Sequence, residues 1–210
     1  METIIRLENV EKSFKGNLLF SNVNIEIEKG SVVGFKGGNG KGKSVFFKII
    51  AGLYKPDTGN VFVRGEQLGE KIDFPQNFGI LVDKPGFVEI FSGFENLRLL
   101  ADIQRKIGQK EISDIMTYLG LDPIEKKKVK SYSLGMKQKL GIAQAVMENQ
   151  DIVILDEPFN ALDADSNVKL YDLIRKLKSE NRTVLLTSHN QSDLDELCDL
   201  QYSVPEFKVA

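Results

Sequence analysis

Eight consecutive residues, Gly37, Gly38, Asn39, Gly40, Lys41, Gly42, Lys43 and Ser44, have the types and spacing to hold a phosphate. They follow the apolar run Val32-Val33-Gly34-Phe35 and lead into Val45-Phe46-Phe47-Lys48-Ile49-Ile50-Ala51, which has helical period and is closed by Gly52. This is GxxxxGK[ST] in the strand, loop and helix setting it requires. Glycines let successive backbone N–H groups turn inward around an anion, and the helix N-terminus adds partial positive charge and unsatisfied donors. Lys43 would then reach the β and γ phosphates, and the Ser44 hydroxyl would bind Mg²⁺. A ligand-free glycine-rich turn is the competing reading, which the strand-to-helix setting disfavours. A dinucleotide loop does not fit, because Lys43 stands where a third glycine is needed.

Two further groups belong with this chemistry. The run Ile152-Val153-Ile154-Leu155 ends in Asp156-Glu157-Pro158, so two carboxylates leave the carboxyl end of a buried strand, where open sheets keep their ligand crevice. Asp156 can face a metal held by Ser44, and Glu157, pointing differently, can orient and deprotonate a water for in-line attack on a γ-phosphate. His189 follows Thr187-Ser188 at another strand end. A lone histidine is more often structural, but this position favours a donor to the γ-phosphate or an orienter of the water. Ser133 sits at an N-cap ahead of Leu140, Ala143, Val146 and Met147, either as a simple cap or as a second phosphate site. One nucleotide has no evident need of two helix termini from one chain.

The elements that must position these groups read as α/β. Val32–Phe35, Gly79–Val82, Ile152–Leu155 and Val184–Leu186 are continuous apolar runs, the pattern of parallel strands buried on both faces. Ile5–Glu8 and Ile25–Glu28 alternate, and Val61–Val63 lies between turns, so a small antiparallel β region is expected beside the main sheet. Between the second and third apolar runs, roughly residues 84 to 140 read as an inserted helical subdomain; Ser92-Gly93-Phe94-Glu95 has capping-box spacing and opens a helix toward Arg105.

The 210 residues carry 28 Lys plus Arg against 30 Asp plus Glu, a net charge of −2, which argues against holding nucleic acid by bulk charge. With 41% hydrophobic residues the chain can build a core, and a disordered chain is excluded. No run reaches the roughly 20 apolar residues of a membrane span, and Met1–Arg6 lacks a signal-peptide pattern. The single cysteine, Cys198, has no intrachain disulfide partner and suits a reducing compartment. Lys126–Lys130 reads as a solvated face.

Taken together, these segments resemble the nucleotide-binding subunit of ATP-binding cassette (ABC) proteins over essentially the whole chain, read as one domain, residues 1–210. Gly37 to Ser44 resembles the family's Walker A, with Val45 completing the nucleotide contacts, and Ile152 to Glu157 resembles Walker B with its catalytic glutamate. Asn160-Ala161-Leu162-Asp163 is similar to the D-loop, His189 to the switch histidine, Tyr132 to Met136 to the LSGGQ signature, and Phe14 to the aromatic that stacks on adenine. The resemblance implies ATP and Mg²⁺, a P-loop NTPase fold, and head-to-tail pairing with a second, identical or different, nucleotide-binding subunit. In such a pair Ser133, Gly135 and Asp163 serve the partner's nucleotide, which would account for the second helix terminus. It also implies a separate transmembrane permease and a peripheral place on the cytoplasmic face of a bacterial membrane.

The sequence departs from the family at three places. Leu134 and Met136 stand where glycine and glutamine are usual. Asp83 occupies the Q-loop position as a metal ligand, and an ionised aspartate cannot donate as glutamine does. The tail from Gln201 lacks a glycine turn, which implies an altered last hairpin. Residues 79–87 with 93–97 resemble exporters of peptide antibiotics, where an acidic Q-loop residue is familiar. Phe87, Val88, Ile90, Phe91 and Phe94 are too many apolar residues for one short loop unless something covers them, so Asp83 to Asn96 reads as a docking face, the alternative being that they pack under the helical subdomain, as some must. Competing readings are a soluble cassette of the cluster-assembly type, a nucleotide-gated clamp without turnover, and an unrelated phosphate-loop kinase.

Overall fold

The computed structural model describes residues 2–83 and 86–209. Strands β1 (Thr3–Phe14) and β2 (Asn17–Glu28) form a long hairpin, and β4 (Thr58–Val63) with β5 (Glu66–Gln67) extends it into an antiparallel sheet of order β2-β1-β4-β5. Alternation decides which face is inward: Ile5 and Leu7 of β1 and Val23, Ile25 and Ile27 of β2 are buried, while Asn24 and Glu26 between the latter are exposed.

The second sheet has the order β10-β9-β3-β8-β7-β6, built from β3 (Val32–Lys36), β6 (Phe78–Leu81), β7 (Ile152–Leu155), β8 (Thr183–Thr187), β9 (Leu200–Ser203) and β10 (Lys208–Val209). Every pairing but β9–β10 is parallel. Each residue of β7 and β8 is buried, which is why both read as unbroken apolar runs. One hydrophobic cluster fills the space between this sheet and the antiparallel one around Phe35, Phe46 and Phe47; a second lies on the opposite face around Leu140, Val153 and Leu186.

Helix α1 (Lys43–Ile50) follows β3. Helices α2 (Gly93–Gln104), α3 (Gln109–Tyr118) and α4 (Leu134–Val146), with a 3₁₀ turn at Val129–Ser131, lie between β6 and β7. Helix α2 opens on a complete capping box: the Ser92 hydroxyl accepts from Glu95 N–H at 3.2 Å and the Glu95 carboxylate accepts from Ser92 N–H at 2.7 Å. Helix α4 lies so close on β6 that a Cβ at Gly79 would sit 1.8 Å from the Ala145 carbonyl oxygen. Helices α5 (Ala164–Ser179) and α6 (Gln191–Leu197) follow β7 and β8.

Two of the expected features take a specific form. The aromatic residues of the loop before α2 are not a bare apolar surface: Phe87, Phe91 and Phe94 are half-buried, and Phe87 and Phe94 pack on the hydrophobic cluster under the helices. The Asn96 side chain clamps the loop by accepting from Val88 N–H at 2.8 Å and donating to the Val88 carbonyl at 3.1 Å, which turns the rings inward. What the loop exposes is Val88 and Ile90; on α2, Leu99 and Ile103 are exposed as well. Lys84 and Pro85 of this stretch lie outside the described residues.

The tail does keep its hairpin without a glycine. Its turn contains the cis Val204-Pro205 bond and Phe207 at φ 50°. Phe207 is buried, its ring 4.5 Å from that of Phe46 and 5.4 Å from that of Phe20, so the hairpin packs beneath the helix that follows the phosphate loop. Val204 N–H also bonds the Lys36 carbonyl at 2.7 Å, and a Cβ at Gly37 would lie 2.6 Å from the Val204 carbonyl oxygen.

Candidate active site

Phe14, Gly38 to Val45, Asp156 and Glu157 line one cavity of about 460 Å³, open to solvent. The structure thus brings together the loop, the acidic pair and the aromatic at the tip of the β1–β2 hairpin. Gly42 caps α1 in the left-handed region at φ 95°, and a Cβ there would press on Leu19 and Phe20 at 3.3 Å, so only glycine joins loop to helix comfortably. Lys43 is buried, its ammonium folded over the loop and donating to the carbonyls of Gly37 at 2.6 Å and Gly38 at 3.4 Å.

Ser44 Oγ donates to one oxygen of Asp156, and Thr187 Oγ1 donates to the other at 2.7 Å. Thr187 also accepts from Glu157 N–H at 2.7 Å, which fixes how the chain turns out of β7. A hydroxyl facing a carboxylate is a hard-oxygen donor pair of the kind Mg²⁺ takes, so these residues fit that ion.

Glu157 stands at φ 51°, a left-handed conformation that a residue with a side chain adopts at a cost. Its Oε1 is buried with no hydrogen-bond partner, yet lies 3.6 Å from the Lys43 ammonium and 3.3 Å from His189 Nε2. Burial pushes the Glu157 carboxyl above the usual range, opposed by His189 and Lys43 and assisted by Asp156. A carboxylate in this setting can accept a proton from water, and the two basic groups beside it can meet a phosphate.

Other expected site residues lie elsewhere. Ser133 caps α4, accepting from Met136 N–H at 3.1 Å, and is exposed beside Leu134. Asp163 caps α5, where the bond from Ser166 holds its carboxyl below the usual range. Gly135 faces the turn before α5, its missing Cβ leaving room for the Ala161 carbonyl at 2.6 Å. None of Ser133, Gly135 and Asp163 lines the cavity of its own chain. Asp83, expected at the metal, instead pairs with Lys48, one helical turn beyond Ser44 on α1. The cation at that turn is the physical reason, and Lys48 also sits 5.1 Å over the Tyr54 ring.

Three contributors were missed from sequence: Thr187, Lys48 and Gln138, whose amide donates to the carbonyls of Glu157 at 3.0 Å and Pro158 at 3.1 Å. The hydroxyl at the end of β8, two residues before His189, was the one available signal.

Residues 20–160 match the model of the ABC transporter family, "ABC transporter". The chain belongs to the ABC transporter family. As an ABC ATP-binding subunit it binds and hydrolyses ATP. It is 34% identical over 197 residues to the uncharacterized ABC transporter ATP-binding protein YybJ of Bacillus subtilis, covering 94% of this chain and 90% of that one. It is 32% identical to the lantibiotic transport ATP-binding protein SrtF of Streptococcus pyogenes, covering 98% and 89%. With the bacitracin transport ATP-binding protein BcrA of Enterococcus faecalis the identity is 33%, and the aligned part spans 66% of that longer protein. The fold of this ABC subunit is that of the ATP-binding cassette MJ0796, solved as a dimer bound to ADP and Pi, at TM-score 0.86, 23% identity, and coverage of 98% and 96%.

Proposed function

We propose that this ABC subunit powers export of a peptide antibiotic or similar amphipathic peptide through a separate transmembrane subunit, working as a pair of cassettes around two ATP molecules at the cytoplasmic face of a bacterial membrane. The relatives named for lantibiotic and bacitracin transport support the substrate class. Among the described residues no helix is long and apolar enough to cross a membrane; in this reading the translocation path belongs to a separate subunit.

The observation that carries the catalytic reading is Glu157 Oε1, buried and without a hydrogen-bond partner, between Lys43 and His189. ATP enters along Gly37 to Val45, with adenine on Phe14. Its γ-phosphate draws Lys43 off the loop carbonyls; Glu157 accepts a proton from the attacking water as the water oxygen bonds the γ-phosphorus and the bond from that phosphorus to the β–γ bridging oxygen breaks, releasing ADP, while His189 donates a hydrogen bond to the γ-phosphate. Ser44 and Asp156 would hold Mg²⁺, which when bound would neutralise phosphate charge. Asp83 is left out of that set while Lys48 holds it. Ser133, Gly135 and Asp163, exposed or at helix starts away from their own loop, complete the partner's site.

Glu157→Gln preserves shape and removes the base. It should bind ATP with unchanged affinity, lose turnover by at least about 100-fold, and accumulate as an ATP-bound dimer in size-exclusion chromatography. Parental steady-state hydrolysis in this variant would remove Glu157 from the role.

A further inference from the structure

Beyond the nucleotide cavity the structure buries another carboxylate. Asp193 on α6 is 6% exposed, yet it lies only four residues after His189, whose side chain is 46% exposed. It accepts hydrogen bonds from the Tyr171 hydroxyl, from the Ser188 hydroxyl, and from the Asn190 amide at 3.2 Å. The Ser188 oxygen in turn accepts from Asn190 N–H at 3.0 Å. The residues on either side of His189 are therefore both tied to one buried anion, while the imidazole between them reaches out toward Glu157.

Tyr171 extends the arrangement. It stands on α5, the helix that Asp163 caps, and its ring packs on Phe159 with centroids 5.2 Å apart. Phe159 directly follows Glu157-Pro158 and precedes the turn at Asn160–Asp163. One tyrosine thus bonds through its hydroxyl the carboxylate that holds the histidine loop, and packs through its ring on the loop after Glu157. Desolvation, then the bond to Asp193, push the Tyr171 hydroxyl above its ordinary pKa, so it remains a donor at any physiological pH. An apolar pair could also join α5 to α6; what the Asp193 carboxyl adds is a fixed geometry for the three donors around it.

We propose that Asp193 and Tyr171 are positioning residues for His189, holding the Ser188–Asn190 loop so that the imidazole stays opposite Glu157 and moves together with the Asn160–Asp163 turn. The inference deepens the catalytic reading above and rests on the role given there to His189. Displacement of a catalytic group by about 1 Å can cost about 100-fold in rate, so the network need only shift the loop slightly to matter.

His189 is the chain's single histidine, which makes a direct test available. With the full chain labelled at histidine, one imidazole signal set is followed by NMR in the parent, in Tyr171→Phe, which keeps the ring on Phe159, and in Asp193→Asn. Steady-state hydrolysis with Mg²⁺ and ATP and thermal unfolding are measured alongside. The expected result is a shifted or broadened imidazole signal in both variants and a kcat about 10-fold lower or more, with KM for ATP within about twofold. In a His189→Ala background Tyr171→Phe should then change the residual rate no further. Unchanged imidazole signals, or a rate loss that simply adds to that of His189→Ala, would overturn the proposal even if Asp193→Asn is too unstable to use. Parental turnover in His189→Ala alone would instead remove the catalytic role of the histidine, and the NMR arm would still decide whether Asp193 and Tyr171 position it.

Discussion

At Glu157 opposing influences set the charge of one carboxyl. Desolvation raises its pKa, and the nearby His189 and Lys43 only partly offset this. The folded chain therefore holds the Glu157 proton more tightly than the unfolded chain does. Below the ordinary glutamate pKa both states are protonated and the site imposes no penalty. As pH rises from that value through the raised one, the unfolded chain loses its proton first and folded stability falls. Glu157→Gln should therefore raise the Tm of the nucleotide-free protein at neutral pH, each ~1 kcal/mol relieved being worth about 2–4 °C in a chain of this size. The gain should vanish in unfolding scans near pH 4, where the parent carboxyl is itself neutral. A variant no more stable at pH 7 than the parent would show that Lys43 and His189 already compensate the buried charge. The same raised pKa puts the acid limb of kcat/KM above the ordinary glutamate range, which a pH profile of ATP hydrolysis reads directly.

Helix α4 shows what one element must satisfy at both ends. Its start carries Ser133 and Gly135, its middle supplies Gln138 to the Glu157 turn, and its last turns lie against β6 at Gly79. Gly79→Ala puts a Cβ into the Ala145 carbonyl and should cost about 3 kcal/mol or more, seen as a fall of roughly 6 °C or more in Tm. Ser92→Ala, which removes only the cap of α2, should cost about 1 kcal/mol and leave hydrolysis intact. Most of this architecture was legible in the sequence, because apolar runs, alternation and the Ser92–Glu95 spacing are local signals. The phosphate loop and the acidic pair were legible for the same reason. Contacts between distant segments were not: nothing near Asp83 in the sequence announces Lys48, since their meeting depends on α1 lying beside the exit of β6. Nor could the loop at residues 86–92 reveal that Asn96 would fold its phenylalanines inward, or Asp193 that two hydroxyls from other elements would converge on it.

For the whole molecule the proposed function needs a surface for a transmembrane partner, and we propose the loop that exposes Val88 and Ile90 as that surface. Because Asn96 holds the loop through the backbone of Val88, a Val88→Glu, Ile90→Glu double variant should keep its fold and basal ATP hydrolysis while losing co-sedimentation with membranes that contain the partner. Retained co-sedimentation would move the docking surface elsewhere. The hairpin at β9 and β10 has a further implication, for biogenesis. Phe207 and Val204 support Phe46 and Gly37 from more than 150 positions downstream. A nascent chain emerging from the ribosome therefore exposes its glycine-rich loop long before the segment that braces it has been synthesised. Until that segment docks, the loop has neither floor nor fixed register, and the contact that completes it is among the most non-local in the chain, the kind that forms late in folding. Nucleotide competence should thus arrive only after that segment has been synthesised, and a ribosome-stalled chain ending before Val204 should fail to retain ATP although its antiparallel sheet is already complete.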